Sequence, residues 1–528
     1  MRSLRLIAVL TVAALCTSVA ALCTSVASAQ ASAQASAQAS AQASAQASAQ
    51  ASAQASAQRT PRPVKQAVAT GSGGAVASAE FNASKAGISV LRSGGNAIDA
   101  AVAVAATLGV TEPFVAGPGG GGFMVIYLAR THQVVTIDGR EMCPAACTSQ
   151  LFIDPGTGQP LAFEEARHSG LSVGVPGMVA TWDRAVRQYG RHGFGADLDP
   201  AIAVAGRGFT ITPNFVQQEQ SSLTDLQAFT SSRKLFLTAA GEPLPVGSTM
   251  RNPDLARTYR TLAVRGSSFL YGGPLGTDIA RTVQRPPVFA GTPLSVRPGI
   301  MTSRDVANYT AKNRAPTHVS YRGLDVFGMA SPSSGGLTTG EALNILSGFR
   351  LSAEPRATAL FHYLEASRLA YADRNAYIGD SDFEPVPQQG LLDPAFAATR
   401  RCLIGQSALS SPVAPGIPFP PFAPCPSAPA AANPVHEGTE TNHLVVADKW
   451  GNVVSYTNTI EQLAGSGITV PGRGFLLNNE MTDFDFTAAT PTTHDPNLPA
   501  AGKRPRSSMS PTIVLNNGAP DFTVGSPG

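Results

Sequence analysis

The hydrophobic pattern changes period several times along the chain. From Ala97 to Leu108 almost every position is Ala, Val, Ile or Leu. A helix apolar on all faces is a buried one, so this stretch predicts a helix lying between layers, capped by Asn96 and closed by Gly109. Upstream, Asn82 or Ser84 caps a predicted helix to about Leu91, which Gly94-Gly95 breaks. Residues 160–350 read as mixed helix with turns, including a helix opened by Pro176-Gly177 and running through Val186; another follows from about Ala359 to Asp373. Beyond Thr441 the period falls to two. Asn442–Ala447 and Val453–Thr459 flank a Gly451-Asn452 turn, the pattern of a hairpin. Between the two regimes, Arg401–Val435 is rich in Pro, Ala and Ser, with nine prolines from Pro412 to Pro434. Such a stretch reads as a loose, cleavable linker joining a helix-rich part to a β-rich part.

The first 58 residues belong to neither regime. Arg2 and Arg5 precede an apolar run, and Ala27-Ser28-Ala29 fits a signal-peptidase site, so residues 1–29 read as a secretory leader. The run is interrupted by Thr11, Cys16, Thr17 and Ser18, short of the roughly 20 apolar residues of a membrane span. No stable membrane span is therefore expected once the leader is gone. Ala-Ser-Ala-Gln then repeats eight times from Ala27 to Gln58. Without large apolar side chains that repeat cannot build a core, and residues 30–58 read as a solvated spacer.

Composition narrows the function. The net charge is +3 and only 14% of the 528 residues are charged, which argues against a nucleic-acid or membrane-surface protein. Cys143, Cys147, Cys402 and Cys425 remain after export, enough for two disulfides, with Cys143/Cys147 and Cys402/Cys425 the local pairings among three connectivities. Their spacing does not match a zinc site. Gly117-Pro118-Gly119-Gly120-Gly121-Gly122 satisfies a dinucleotide fingerprint by letter, but a helix precedes it and a β-type run, Phe123–Leu128, follows. That order is the reverse of what the fingerprint needs.

The candidate chemistry sits at the junction Glu440-Thr441-Asn442-His443. A Thr that opens a strand just after a linker can become N-terminal by chain cleavage. Its own α-amine, with a pKa near 7.7 to 8.0, then suits the removal of its hydroxyl proton. Six ordered blocks support this: Ser89–Ala100, Gly119–Phe123, Asp138-Gly-Arg-Glu-Met142, Pro332-Ser-Ser-Gly-Gly336, Leu476-Leu-Asn-Asn-Glu-Met481 and Lys503–Thr512. From about Ala75 to Gly528 the sequence resembles the gamma-glutamyltransferases, or glutathione hydrolases, of the N-terminal-nucleophile superfamily. The resemblance implies an α/β fold: an αββα sandwich of two stacked, mainly antiparallel sheets between helical layers. It implies autocleavage at Glu440-Thr441 into a large subunit, 59–440, and a small one, 441–528, both contributing to the fold. It implies no metal or organic cofactor. The implied substrates are glutathione-like γ-glutamyl donors, with water, an amino acid or a peptide as acceptor, in the periplasm or outside the cell.

Residue by residue, the resemblance makes Thr441 the nucleophile, Thr459 its supporting hydroxyl and Gly528 an oxyanion donor. Arg140 pairs with the substrate α-carboxylate, which Ser507 and Ser508 also bond. Glu480 and Asp483 accept from the α-ammonium. Three features depart from the family pattern. Glu461 replaces an expected Asn and brings a further carboxylate, which can raise the pKa of Glu480 or Asp483. Asn442 replaces a common second Thr. The stretch from Asp483 to Ser507 is short for a lid, which favours bulkier acyl groups. The family also continues past Gly528 with a second oxyanion glycine and further elements, so these 528 residues read as C-terminally incomplete; as an entire product they are expected to be inactive or misfolded. Two alternatives stand beside the leading one: an acylase of the same fold acting on a β-lactam side chain or poly-γ-glutamate, and an unprocessed, non-catalytic γ-glutamyl-binding protein.

Overall fold

The structure is a computed structural model that describes residues 68–422, 440–488 and 494–526. The chain divides into two units, Met1–Ala69 and Thr70–Gly528. The expected leader, repeat spacer, Cys425, most of the linker's second half and Gly528 lie outside the described residues.

The principal strands of the second unit are β1 Gly74–Ala77, β2 Gly121–Leu128, β3 Gln133–Gly139, β4 Lys312–Arg314, β5 Thr317–Tyr321, β6 Leu324–Gly328, β7 Asn442–Asp448, β8 Val453–Thr459, β9 Thr512–Asn516 and β10 Ala519–Val524. Its principal helices are α1 Phe81–Arg92, α2 Ala97–Thr111, α3 Met178–Tyr189, α4 Phe194–Arg207, α5 Pro253–Arg265, α6 Gly335–Leu346 and α7 Arg356–Tyr377. One sheet runs β1-β7-β8-β2-β3-β4 and a second runs β10-β9-β6-β5, antiparallel throughout.

Two apolar cores explain the stacking. Phe123, Val125 and Tyr127 of β2 and Val453 of β8 meet Ile513 and Leu515 of β9 between the sheets. On the other face of the first sheet, Leu444, Val446, Val454 and Tyr456 join α2 and the helices around it. The second sheet carries α6 on its outer face, with α7 packed on α6. The order is helix, sheet, sheet, helix. All fifteen residues of α2 are buried, as its uniformly apolar sequence requires.

Some local expectations change. Asn96 caps α2 and forms a capping box with Asp99, but the helix continues to Thr111 and Gly109 lies inside it. There a Cβ would stand 3.0 Å from Gly117 Cα and 2.9 Å from the Tyr259 hydroxyl, so close packing is what requires the glycine. Glu80, not Asn82 or Ser84, caps α1, its carboxylate accepting from Ala83 N. The helix after Pro176-Gly177 extends to Tyr189, and α7 exceeds the predicted Ala359–Asp373 at both ends. The helix-rich first part also supplies β1 to β6, of which its mixed pattern showed only β2. The described end of the linker is irregular yet fastened: the Gly416 carbonyl accepts from Tyr377 Oη at 2.7 Å and the Ala414 carbonyl from Arg400 at 2.8 Å. Cys143 and Cys147 are disulfide-bonded, and so is Cys402. No described helix is long and apolar enough to cross a membrane.

Candidate active site

Thr441 enters β7, an inner strand of the first sheet. In the β7–β8 ladder Asn458 pairs with Asn442, and Thr441 and Thr459 are the next residues along the two chains from that last pair. The chain is continuous through Glu440-Thr441, and the Thr459 hydroxyl donates to the Glu440 carbonyl at 3.0 Å. Thr459 Oγ1 also accepts from the Glu461 N–H at 2.8 Å. A buried hydroxyl is thereby aimed at the carbonyl of the very bond expected to break.

The glycine run explains how that hydroxyl is held. A Cβ on Gly120 would stand 2.0 Å from the Thr459 carbonyl oxygen, and one on Gly119 would stand 2.1 Å from the Leu476 carbonyl oxygen. The loop is stripped of side chains so that three backbone segments can touch. Asn478 then locks them: its Nδ2 donates to the carbonyls of Gly119 (2.7 Å) and Gly174 (2.9 Å), and its Oδ1 accepts from Gly174 N and Glu480 N. A string that imitates a dinucleotide loop is a packing device here.

Arg140 follows directly on β3 and is almost fully buried. It forms ion pairs with Glu480 and Asp483, and donates from Nε to the Pro505 carbonyl (3.2 Å) and from Nη2 to the Arg506 carbonyl (3.0 Å). Burial alone would lower its pKa, but Glu480, Asp483 and Glu141 outweigh that and raise it. Ser507 is buried and Ser508 exposed, next along the chain from the carbonyls that Arg140 grips. The expected cation and two acids are therefore together, and the acids neutralise Arg140 itself.

Glu461 joins the same group. Its backbone lies in the left-handed region, at φ 80°, and its carboxylate accepts from Asn479 Nδ2. Such a conformation is rare for a non-glycine residue and is held here by the Thr459 contact. Burial, then Asp483 and Glu480, push its pKa well up. Glu480 is pushed up to about 8, by burial first and by Asp483 against the opposing pull of Arg140. The like-charge effect expected of Glu461 thus falls on Glu461 itself.

Two functional candidates escaped the sequence reading. Glu141 is fully buried with neither carboxylate oxygen hydrogen-bonded, and burial and Glu480 push its pKa well up. His443 donates or accepts at Nδ1 with Thr457 Oγ1 at 2.9 Å, while burial holds its pKa down at about 4. The only signal for either was adjacency to Arg140 and Thr441. Thr441, Glu440 and His443 line a cavity of about 460 Å³ with Glu112, Asn214, Gln218, Val445 and Gly525. Gly525 packs so tightly on His443 that a Cβ would lie 2.2 Å from its ring. Gly528 lies outside the described residues. Among the described residues no cluster of His, Cys, Asp and Glu is arranged to hold a metal.

Stacked antiparallel sheets between helical layers, with a threonine opening an inner strand, define the N-terminal-nucleophile hydrolase fold. Comparisons with known proteins carry this further. A sequence model described as gamma-glutamyltranspeptidase matches residues 83–528. The glutathione hydrolase proenzyme of Bacillus subtilis (strain 168) is 38% identical over 465 residues, 87% of this chain and 76% of that one. The crystal structure of a cephalosporin acylase from Bacillus halodurans matches with a TM-score of 0.74 and 27% identity, covering 88% of this chain and 79% of that one. The gamma-glutamyltranspeptidase of Helicobacter pylori matches with a TM-score of 0.61 and 33% identity, covering 67% and 97%. The chain belongs to the gamma-glutamyltranspeptidase family.

Proposed function

We propose that this protein is an exported gamma-glutamyl hydrolase and transferase that matures by cutting itself at Glu440-Thr441. The observation that carries the reading is the 3.0 Å hydrogen bond from the Thr459 hydroxyl to the Glu440 carbonyl. In maturation, Thr441 Oγ adds to the Glu440 carbonyl carbon and negative charge develops on the oxygen that Thr459 already contacts. Collapse breaks the C–N bond as the proton given up by Oγ passes to the departing nitrogen, leaving an ester on Thr441 and freeing its α-amine. Water then cleaves the ester and releases Glu440 as a carboxylate.

The mature site repeats the chemistry on a substrate. The Thr441 α-amine, with a pKa near 7.7 to 8.0, takes the hydroxyl proton. Thr441 Oγ attacks the γ-amide carbon, the amine leaves with a proton, and a γ-glutamyl ester remains. Water or an amine acceptor resolves it. Recognition is an exchange of ion pairs: the substrate α-carboxylate replaces the acids on Arg140, and its α-ammonium takes Glu480 and Asp483. Ser507 and Ser508 add hydroxyls to the carboxylate, Glu461 flanks the ammonium and Gly528 supplies an oxyanion N–H.

The test is intact-mass analysis of the full chain during incubation, followed by release of aniline from a γ-glutamyl anilide. A fragment beginning at Thr441 together with γ-glutamyl turnover is expected. A chain that stays whole supports the non-catalytic binding protein instead. Cleavage with turnover only of a bulky acyl amide supports the acylase reading, which the likeness to the cephalosporin acylase and the presence of Glu461 favour.

A further inference from the structure

The cavity beside Thr441 has a lining that none of the roles above explains. Thr441 belongs to it, yet Arg140, Glu461, Glu480, Asp483, Ser507 and Ser508 do not. A γ-glutamyl group esterified to Thr441 has its α end among those residues, and its carbonyl is the part that borders the cavity. That leaves the cavity, of about 460 Å³, as the space on the other side of the reacting carbonyl. Such a volume suits a small organic group.

Its walls carry buried polar atoms with nothing to bond. Asn442, the first residue of β7, is 2% exposed, and neither its Oδ1 nor its Nδ2 has a hydrogen-bond partner among the described residues. Asn458, directly across the ladder, does not relieve it, since its own Oδ1 and Nδ2 are unpaired as well. Gln218, on the helix Pro213–Ser221, lines the same cavity with a buried, unpaired Oε1. Leaving such atoms unpaired costs free energy that a matching ligand recovers. An unpaired donor and acceptor on one amide fit another amide: Nδ2 donates to the ligand's carbonyl, and Oδ1 accepts from its N–H. Gln218 Oε1 takes a further N–H. Charge selects in the same direction. No Lys or Arg is among the described residues of the lining, and burial holds the His443 pKa down at about 4, so its ring is neutral near pH 7. A free carboxylate would enter without a counter-ion.

We propose that Asn442 and Gln218 form the acceptor subsite, and that it takes an amine bearing a neutral amide: an amino-acid amide or the first residue of a peptide. The acceptor's amine attacks the ester carbonyl, the C–O bond to Thr441 breaks, and a proton of the amine passes to Thr441 Oγ. This rests on the γ-glutamyl reading above, which it deepens by naming the chemistry that receives the acyl group.

The test is a competition for one acyl-enzyme. Glu440 also lines the cavity, so the matured protein is used, in which Glu440 is a chain end. A γ-glutamyl anilide is the donor. Glycinamide and glycine methyl ester, amines of similar basicity, compete at equal concentration, and mass spectrometry reads the ratio of the two products. Both come from the same intermediate, so a variant's overall activity drops out of the ratio. Wild type should favour the amide by about tenfold or more, because the ester leaves Asn442 Oδ1 and Gln218 Oε1 unpaired. Asn442→Leu should bring the ratio to within about threefold of unity, and Gln218→Leu should lower it by about threefold. If Asn442→Leu fails to fold or mature, Gln218→Leu, at a half-buried helix position, decides. A wild type that releases aniline but forms no transfer product, or forms both within about threefold, overturns the proposal while the γ-glutamyl reading survives. So do variants that keep the wild-type ratio. Wild type that releases no aniline overturns both.

Discussion

Replacing Thr459 with Val tests the maturation step with little change in shape. Both side chains are β-branched and suit a strand. What disappears is the oxygen that donates to the Glu440 carbonyl at 3.0 Å and accepts from Glu461 N at 2.8 Å. The first loss acts on rate. A hydrogen bond to the neutral carbonyl contributes about 0.5 to 1.5 kcal/mol, whereas a donor to the developing oxyanion contributes about 2.7 to 4 kcal/mol. Only the excess in the transition state counts, so cleavage should slow by roughly one to two orders of magnitude. The second loss acts on stability. An orphaned buried N–H costs about 1 to 3 kcal/mol, so the rate must be read well below the variant's melting temperature. The assay follows the Thr441-initiated fragment over time by gel and intact mass. Thr459→Ser, which restores the hydroxyl, should cleave within about tenfold of wild type. If Thr459→Val matures within about threefold of wild type, or Thr459→Ser is as slow as Thr459→Val, the assignment of that hydroxyl is wrong.

Gly120→Ala should block maturation without touching a reactive group, because its Cβ would displace the Thr459 carbonyl; an overpacking cost of about 1 to 3 kcal/mol should also show in denaturant unfolding. Arg140→Met leaves two carboxylates in a largely buried site without their cation, so unfolding should show a loss of about 3 to 5 kcal/mol, and γ-glutamyl turnover should vanish with it. Asp197 is fully buried beside Asp99, and burial followed by that neighbour pushes its pKa up to about 9. Between pH 5 and 8 the folded state therefore holds a proton the unfolded chain has lost, and stability falls as pH rises. Asp197→Asn should remove about 1.4 kcal/mol per pH unit of that slope, seen by comparing denaturant midpoints of the two proteins across the window. An unchanged slope would place the proton elsewhere.

How much of this could be read in advance depended on whether the cause was local. The β7–β8 hairpin and α2 follow from periodicity, because an alternating stretch or a wholly apolar helix has few other ways to be buried. The junction at Thr441 was legible for the same reason: a linker meeting a strand is a local event. Gly109 misled because a glycine that ends a helix and one that lets Tyr259 and Gly117 approach it look alike until the neighbours are known. Glu80 capped α1 in place of Asn82 or Ser84 for want of any local rule that excludes the latter. Glu141 carried no signal beyond its place beside Arg140. Its meaning lies in burial and in a neighbour far along the chain, Glu480.

The strand order β1-β7-β8-β2 has a consequence for the continuity of the chain. The hairpin that starts at Thr441 is wedged between two strands from the first half, β1 on one flank and β2 on the other. Cutting the peptide bond at its entrance therefore frees nothing, since separating the two pieces would mean unzipping both ladders at once and opening the core on each face of the sheet. Covalent connection across 440 and 441 is dispensable for cohesion. A nick there would be equivalent to a chain terminus placed in the middle of a finished domain, and the same point would serve as the opening site of a circularly permuted chain or as the seam between two separately synthesised halves.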